Sequence, residues 1–366
     1  LYRRYPLFFS RRTTRLKDNI FFILTINPGS TSTEFGVFEN TNCLWKKVIE
    51  HNTEESSKPL INQLSSRLST LTEFLPKEPK IDAIAARGGP LKPLVGGAYL
   101  VNDTMVNDYQ NGSYSNHASN LGALMAFKIA NQFKIPAYIV DPVTTDEFIP
   151  EARISGVPGI TRKSRSHALN IKFCVRKASE ELNINAKQSQ FVVAHLGSGF
   201  SIAAVKHTKI IDVNDALLGM GPFSIERAGA LPLSGILDFV FTDNKSKEEL
   251  EYIFSKKSGF SGLLGNRDLR SVEKRLNESE VKNIYQAMIY QIAKEIGSAY
   301  AVLDGAVDGL ILTGGLTHSN IFCDALRKKT SFIQQAMIYP GSFELEALVA
   351  GVLPILNQKE KAKIYK

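Results

Sequence analysis

Residues 23–38 read ILTINPGSTSTEFGVF. An apolar run reaches Asn27-Pro28-Gly29-Ser30 and a second one leaves it, which is the pattern of a β-hairpin whose turn is made of glycine and small hydroxyl residues. Residues 191–205, FVVAHLGSGFSIAAV, repeat the pattern around Gly197-Ser198-Gly199. The two turns stand about one domain length apart, so the spacing predicts two similar halves, each opening with a hairpin. Consecutive N–H groups in such a turn form a concave anion site, and the hydroxyls of Ser30, Ser32 and Ser198 add donors. One Gly-Ser hairpin alone is an ordinary turn. Two in register, followed by a strand ending Leu312-Thr313-Gly314-Gly315, point to a protein that handles phosphate. Neither turn carries the G-x-x-x-x-G-K-[ST] spacing, so a nucleotide would be held otherwise than in a P-loop.

Outward from the hairpins, helical periodicities at 60–74 and 118–133 alternate with short strands at 81–86 and 137–140, the rhythm of an α/β protein. Ser164 is expected to cap a helix running to residue 182 and Ser271 a long one to about residue 303, before a strand at 309–313. Pro150, Pro158 and Gly159 mark a crossing between halves. The expected organisation is a basic leader over 1–20 outside the fold, a first domain over 21–149 joined by a C-terminal helix over 346–358, and a second domain over 150–345. The Lys-rich end, 359–366, reads as a solvated tail.

Composition narrows the classes. The 366 residues are 43% hydrophobic and 22% charged, enough to build two packed cores. Mean hydropathy is −0.09, and no apolar run approaches the ~18 residues of a membrane span. Three cysteines, Cys43, Cys174 and Cys323, support neither a disulfide framework nor a zinc site and fit a reducing cytoplasm. More than half of the net charge of +8 lies in the leader, where Arg3, Arg4, Arg11, Arg12, Arg15 and Lys17 face only Asp18. That leader reads as an extension, a targeting segment or a basic arm. The rest is near neutral and has no aromatic-basic motif, which argues against nucleic acid and membrane as partners.

Several polar residues stand in apolar settings. Arg87 and Asp141 each follow a strand, at the carboxyl edge where open α/β sheets bind ligands. His167 is expected in the first turn of the helix opened by Ser164, and Arg227 lies in a loop bounded by Gly221 and Gly229. Singly, each also reads as a salt-bridging arginine, a capping aspartate or a surface histidine.

Taken in order, INPGSTST (26–33), ARGG (86–89), NHASNLGA (116–123), VDPV (140–143), ARISGVPGITRKSRSHALN (152–170), AHLGSGFS (194–201), IDVNDALLGMGPFS (211–224), LTGG (312–315) and YPGSFELEALVAG (339–351) resemble the acetate kinase family, and within it the butyrate kinases. The resemblance implies two duplicated domains of the actin-like ATPase type, ribonuclease H-like halves with a nucleotide cleft between them. It implies reversible phosphoryl transfer between ATP and butyrate, with ATP/ADP and Mg2+ as cofactors and a homo-oligomer, dimer or higher. Acetate, propionate or a branched acid is the alternative substrate, and a non-catalytic nucleotide-binding relative the alternative class.

The same resemblance implies roles for residues. Arg87 and Arg227 would hold the carboxylate and the transferring phosphoryl, His167 would donate to the phosphoryl, and Asp141 would orient the substrate or a magnesium-bound water. Asn27, Gly29, Ser30 and Ser32, with His195, Gly197, Ser198 and Gly199, would line the phosphates. Asp268, Arg270, Gly314 and Gly315 would meet the nucleoside. His117 and Asn120 would lie on the substrate side, and Glu344 or Glu346, with Asn27, at the metal. Three positions depart from the family pattern: Glu34 stands where Lys is usual, Ser198 replaces a glycine, and Met220 an acidic residue. Strand alternation from Thr33 to Phe38 leaves the direction of Glu34 open, and a solvent-facing side chain is the preferred expectation.

Overall fold

The computed structural model describes residues 19–366 except 53, 55–57 and 77. The basic leader therefore lies almost wholly outside the described residues. The first hairpin is β1 (Phe22–Pro28) and β2 (Ser32–Glu39), paired antiparallel with Asn27 opposite Glu34. After β3 (Asn42–Glu50) come α1 (Leu60–Thr72), β4 (Ala83–Arg87), β5 (Ala98–Leu100), α2 (Asp103–Asn111), α3 (Asn120–Phe133) and β6 (Ala137–Val140). The one-turn helix α4 (Pro150–Arg153) and then α5 (Ala168–Glu181) lead to the second hairpin, β7 (Gln190–Leu196) and β8 (Phe200–Lys206), followed by β9 (Lys209–Val213). Helices α6 (Leu233–Phe241), α7 (Lys247–Lys256), α8 (Gly259–Leu264), α9 (Leu269–Glu273) and α10 (Ser279–Val302) precede β10 (Gly309–Gly314). The chain ends with α11 (Asn320–Lys329), β11 (Ala336–Pro340), α12 (Glu344–Leu356) and β12 (Lys363–Ile364).

The strands form two sheets, ordered β12-β5-β6-β4-β1-β2-β3 and β11-β10-β7-β8-β9. Their centres match: two antiparallel pairings run out from β1 or β7 on one side, and parallel pairings run out on the other. The runs at 23–26 and 191–196 are apolar throughout because both faces of these strands are covered. On β7, Val192, Ala194 and Leu196 join the core that includes Met288, Ile292 and Ile296 of α10, while Phe191 and Val193 join the one that includes Ile171 and Val175 of α5. On β1, Leu24 and Ile26 pack with α3, and Ile23 packs with Leu345, Leu348 and Val349 of α12. Helices α5 and α12 also touch each other, so they form the layer between the sheets.

Several boundaries differ from the sequence reading. Helix α5 starts at Ala168 with His167 at its N-cap, and the Ser164 hydroxyl instead donates to the Thr145 carbonyl at 2.7 Å. Ser271 lies inside α9, whose cap is Asp268, and the long helix starts only at Ser279. The Lys-rich end is not a free tail: β12 pairs with β5, and Tyr365 is buried with its hydroxyl donating to Asp108 at 2.6 Å. Burying an aromatic ring of that size outweighs the solvation of the flanking lysines. The three cysteines are free, with Cys43 exposed and the others buried. Among the described residues no helix is long and apolar enough to cross a membrane.

Gly314 ends β10 with φ +98, and a Cβ there would stand 2.4 Å from the Leu196 carbonyl oxygen. Positive φ costs a side chain on the order of 1–3 kcal/mol, and the backbone overlap adds to it. Gly314→Ala is therefore expected to lower the denaturant midpoint clearly. A midpoint equal to that of the unsubstituted protein would contradict the packing of β10 on β7.

Candidate active site

The carboxyl edges of β4 and β6 and the N-terminal ends of α5 and α12 converge on one cavity, lined among others by Arg87, Asp141, Ser166, His167 and Glu344. Arg87 ends β4 and donates to Asn27 Oδ1 at 3.3 Å, with its Nε 4.0 Å from Glu344 Oε2. Glu344 is buried, and this oxygen has no hydrogen-bond partner among the described residues. Glu346, two positions on, faces away toward Lys46 at 3.7 Å. Helical spacing of about 100° per residue separates the two carboxylates, so the structure chooses Glu344 for the cavity.

Asp141 follows β6 with φ +38, an uncommon backbone for a residue with a side chain. Its Oδ1 accepts from the Gly97 N–H at 2.7 Å and lies 3.6 Å from Lys172 Nζ. Lys172 in turn pairs with Glu147 at 2.9 Å, and Glu147 also accepts from the N–H groups of Gly96 and Ile210. This buried group of charges links the segment after β6 to α5 and β9. Removing one partner from such a set costs about 3–5 kcal/mol.

Two histidines stack at the mouth of the second hairpin. The rings of His167 and His195 lie 4.0 Å apart and 14° from parallel. Burial, then the His195 ring and the cations of Arg227 and Arg87, holds His167 well below the usual histidine range. Burial, then Arg87, pushes His195 down to about 3. His117 is exposed as a residue, with its ring Nδ1 2.6 Å from Ser119 Oγ, and loss of water around the ring, then Arg87, Lys256 and Arg227, push it down to about 4. All three are neutral at physiological pH. Asn120, buried against Gly89, donates to the Ser115 carbonyl at 2.8 Å, and its Oδ1 has no partner among the described residues.

Arg227 reaches the second turn from its loop. A Cβ on Gly199 would stand 1.8 Å from Arg227 Nη1, so the glycine makes room for the guanidinium. Nη1 donates to the Ala216 carbonyl, while the buried Nε has no partner among the described residues. Burial, opposed by Glu226 and Asp215, lowers the Arg227 pKa. The turn itself exposes Ser198, whose carbonyl accepts from Ser224 Oγ at 2.6 Å. Beside it Gly315 has open space around its Cα. Asp268, the N-cap of α9, and Arg270, in its first turn, stand exposed, and Asp268 accepts from the N–H groups of Arg270 and Ser271. Helix capping is thus a visible task of Asp268.

The first turn is held by a residue that the sequence reading missed. Arg67 of α1 is wholly buried and donates to the carbonyls of Gly29 at 2.8 Å and Ser30 at 3.0 Å, to Thr33 Oγ1 at 3.3 Å and to Gln63 Oε1 at 2.7 Å. With its carbonyls drawn back, the turn leaves Ser30 exposed and Ser32 half-buried. The available signal was an arginine at a core position of the helical period, between Leu64 and Leu71.

Glu34 also differs from expectation. It does not point to solvent: its half-buried carboxyl hydrogen-bonds Asn27 and lies near Lys46, Glu346 and Glu344. The register explains this, because Asn27 and Glu34 are cross-strand partners with side chains on one face.

Residues 157–331 match the model of the acetokinase family. Acetate kinase from Porphyromonas gingivalis superposes with a TM-score of 0.76 at 18% identity, over 92% of this chain and 100% of that one. Acetate kinase from Entamoeba histolytica gives 0.74 at 16%, over 90% and 98%. A propionate kinase from Francisella tularensis subsp. tularensis gives 0.70 at 20%, also over 90% and 98%. The mixed α/β fold with two sheets is that of acetate kinase structures, of the actin-like ATPase type.

Loss of water, only partly offset by Asn27 and Lys46, holds the Glu34 carboxyl above its usual 4.5. A raised carboxyl pKa means stability present below 4.5 and lost as pH rises through the folded value. Glu34→Gln is expected to melt higher than the parent at pH 8, with the difference closing as pH falls toward 4.5. Identical melting temperatures across that range would contradict the buried position.

Proposed function

We propose that the protein is a carboxylate kinase that moves a phosphoryl group reversibly between ATP and a short-chain fatty acid, butyrate or a near homologue, giving an acyl phosphate and ADP. One observation carries the reading: Arg87 and Glu344, on elements of the first sheet, line the same cavity as His167, which belongs to the helix packed on the second. The ordered motifs and the acetokinase match over 157–331 support it. Acetate, propionate and branched acids are the alternatives within the class.

A carboxylate already carries its attacking oxygen and needs no general base. What the reaction requires is alignment and charge neutralisation. Arg87 would grip the planar carboxylate, a geometry suited to a guanidinium fork. Arg227, with a buried donor to spare, would take the phosphoryl oxygens as charge builds on them. His167 and His195, neutral, would donate hydrogen bonds without giving up a proton. His117 and Asn120 would face the acid, and Asp141 would fix its approach.

Magnesium fits the residues present. Among the described residues no cluster of three or more His, Cys, Asp or Glu side chains is arranged to hold a metal, but this ion needs only one or two protein carboxylates beside waters and phosphates. Glu344 Oε2, which has no hydrogen-bond partner among the described residues, and Asn27 Oδ1, which accepts from Arg87, would hold it, and bound there it would neutralise phosphate charge. The turns at Gly29–Ser32 and Gly197–Gly199 would cradle the phosphates of ATP, with Gly314 and Gly315 beside them and Asp268 and Arg270 toward the nucleoside. In this reading the two sheets carry two domains, divided near residue 150, and the protein works in the cytoplasm. The position of Glu34 favours a second reading, a relative that binds nucleotide without turning it over, because a carboxylate beside Asn27 repels a triphosphate.

The exposed helix α6 has no buried residue, and it presents Leu233, Leu237 and Phe241 beside an apolar groove of about 560 Å3. A ridge and a groove on one face suit a two-fold contact, so we place the homo-oligomer interface there. Leu237→Glu is expected to shift the mass in light scattering to the monomer, and an unchanged oligomer would exclude α6.

Turnover with Mg-ATP across C2 to C5 acids, trapping the acyl phosphate as hydroxamate, tests the function. The expected result is activity that peaks near C4. Arg87→Ala and Arg227→Ala should each lower kcat by ~100-fold or more while ATP affinity changes little. Near-normal kcat in both variants overturns the assignment, and ATP binding with no turnover on any acid selects the second reading.

A further inference from the structure

Asn170 of α5 is fully buried, and every polar atom of its side chain has a partner. The Phe343 N–H, at the start of α12, donates to Oδ1 at 2.9 Å. This bond fixes which end of the amide is oxygen, since the reversed amide would set two donors face to face. The two Nδ2 hydrogens then go to His195 Nδ1 at 2.9 Å and to Thr313 Oγ1 at 3.2 Å. Thr313 passes its own hydrogen to the Gly341 carbonyl at 3.1 Å, which leaves its oxygen free to accept. The chain of donors has one consistent direction, and at its end His195 Nδ1 must be an acceptor. The proton of the neutral ring is on Nε2.

Ser201 imposes the same choice on His167. Its Oγ accepts from the His167 N–H at 3.3 Å and lies 2.8 Å from the ring Nδ1. Ser201 is buried, and among the described residues its hydroxyl hydrogen has no acceptor other than that nitrogen. If Nδ1 carried the proton, a buried O–H would be left unpaired, at a cost of about 1–3 kcal/mol.

We infer that Asn170 and Ser201 are positioning residues that lock His195 and His167 in the Nε2–H form, so that the stacked rings present two neutral donors to one anion. His195 Nε2 lies beside Gly197, 3.4 Å from where a Cβ would be, at the second turn. His167 lines the cavity with Arg87 and Glu344. The anion being a phosphoryl group rests on the proposed function; the locked tautomers do not. Asn170 further ties the start of α12, where Glu344 stands, to the ends of β7 and β10, so one amide sets both the donor and the neighbouring carboxylate.

The test is long-range 15N–1H correlation of the imidazole rings in 15N-histidine-labelled full-length protein at pH 7.5, with His167→Gln and His195→Gln used to assign the two spin systems among the six histidines. Both are expected as neutral Nε2–H rings. Asn170→Asp replaces the donor with an acceptor of equal shape, so the His195 ring should present Nδ1–H to it, and kcat should fall ~100-fold or more. Ser201→Ala should release His167 into a tautomer mixture, while Ser201→Thr should keep the locked form. A Nδ1–H ring at either histidine in the unsubstituted protein overturns the inference, as does an unchanged His195 pattern in folded Asn170→Asp. Should that variant not fold, the parent spectrum and the Ser201 pair decide alone. Locked tautomers in a protein without kinase activity would refute the function and leave this inference standing.

Discussion

The contact between α5 and α12 is the constraint on which the site depends. Each helix covers the inner face of one sheet, and packing them together brings the carboxyl edge of the first sheet and the start of α5, which packs on the second, to a common cavity. Their N-terminal ends deliver His167 and Glu344 to it, and the bond from Phe343 to Asn170 fixes the two ends in register. The chain has to return from the second sheet to the first for this to happen. That is why α12 lies on β1, β4 and β6, and why β12 closes the first sheet's edge.

Electrostatics in the cavity is asymmetric. Arg87 and Arg227 supply permanent positive charge, while His117, His167 and His195 are held neutral by burial and by those same cations. A site of this kind attracts anions without titrating near neutral pH. Glu34 works against it. With the Glu34 carboxylate hydrogen-bonded to Asn27, the first hairpin brings negative charge where the second meets a guanidinium. Cations still stand close to that turn: Arg67 is buried behind it, Arg87 donates to Asn27, and Lys46 lies near Glu34.

The sequence by itself determined the two hairpins, because apolar runs meeting a Gly-Ser turn have few other ways to fold, and it marked Arg87 and Asp141 because each follows a strand. The duplicated sheet order follows from those hairpins and the alternating helices. It did not determine which of Glu344 and Glu346 enters the cavity, where Glu34 points, or that Arg67 holds the first turn and Asn170 ties His195 to the start of α12. Those were decided by the tertiary structure. Cross-strand register turns Glu34 toward Asn27, helix rotation aims Glu344 inward, and a buried amide acquires its donors and acceptors only when three segments distant in the chain, near residues 170, 195 and 343, are packed together.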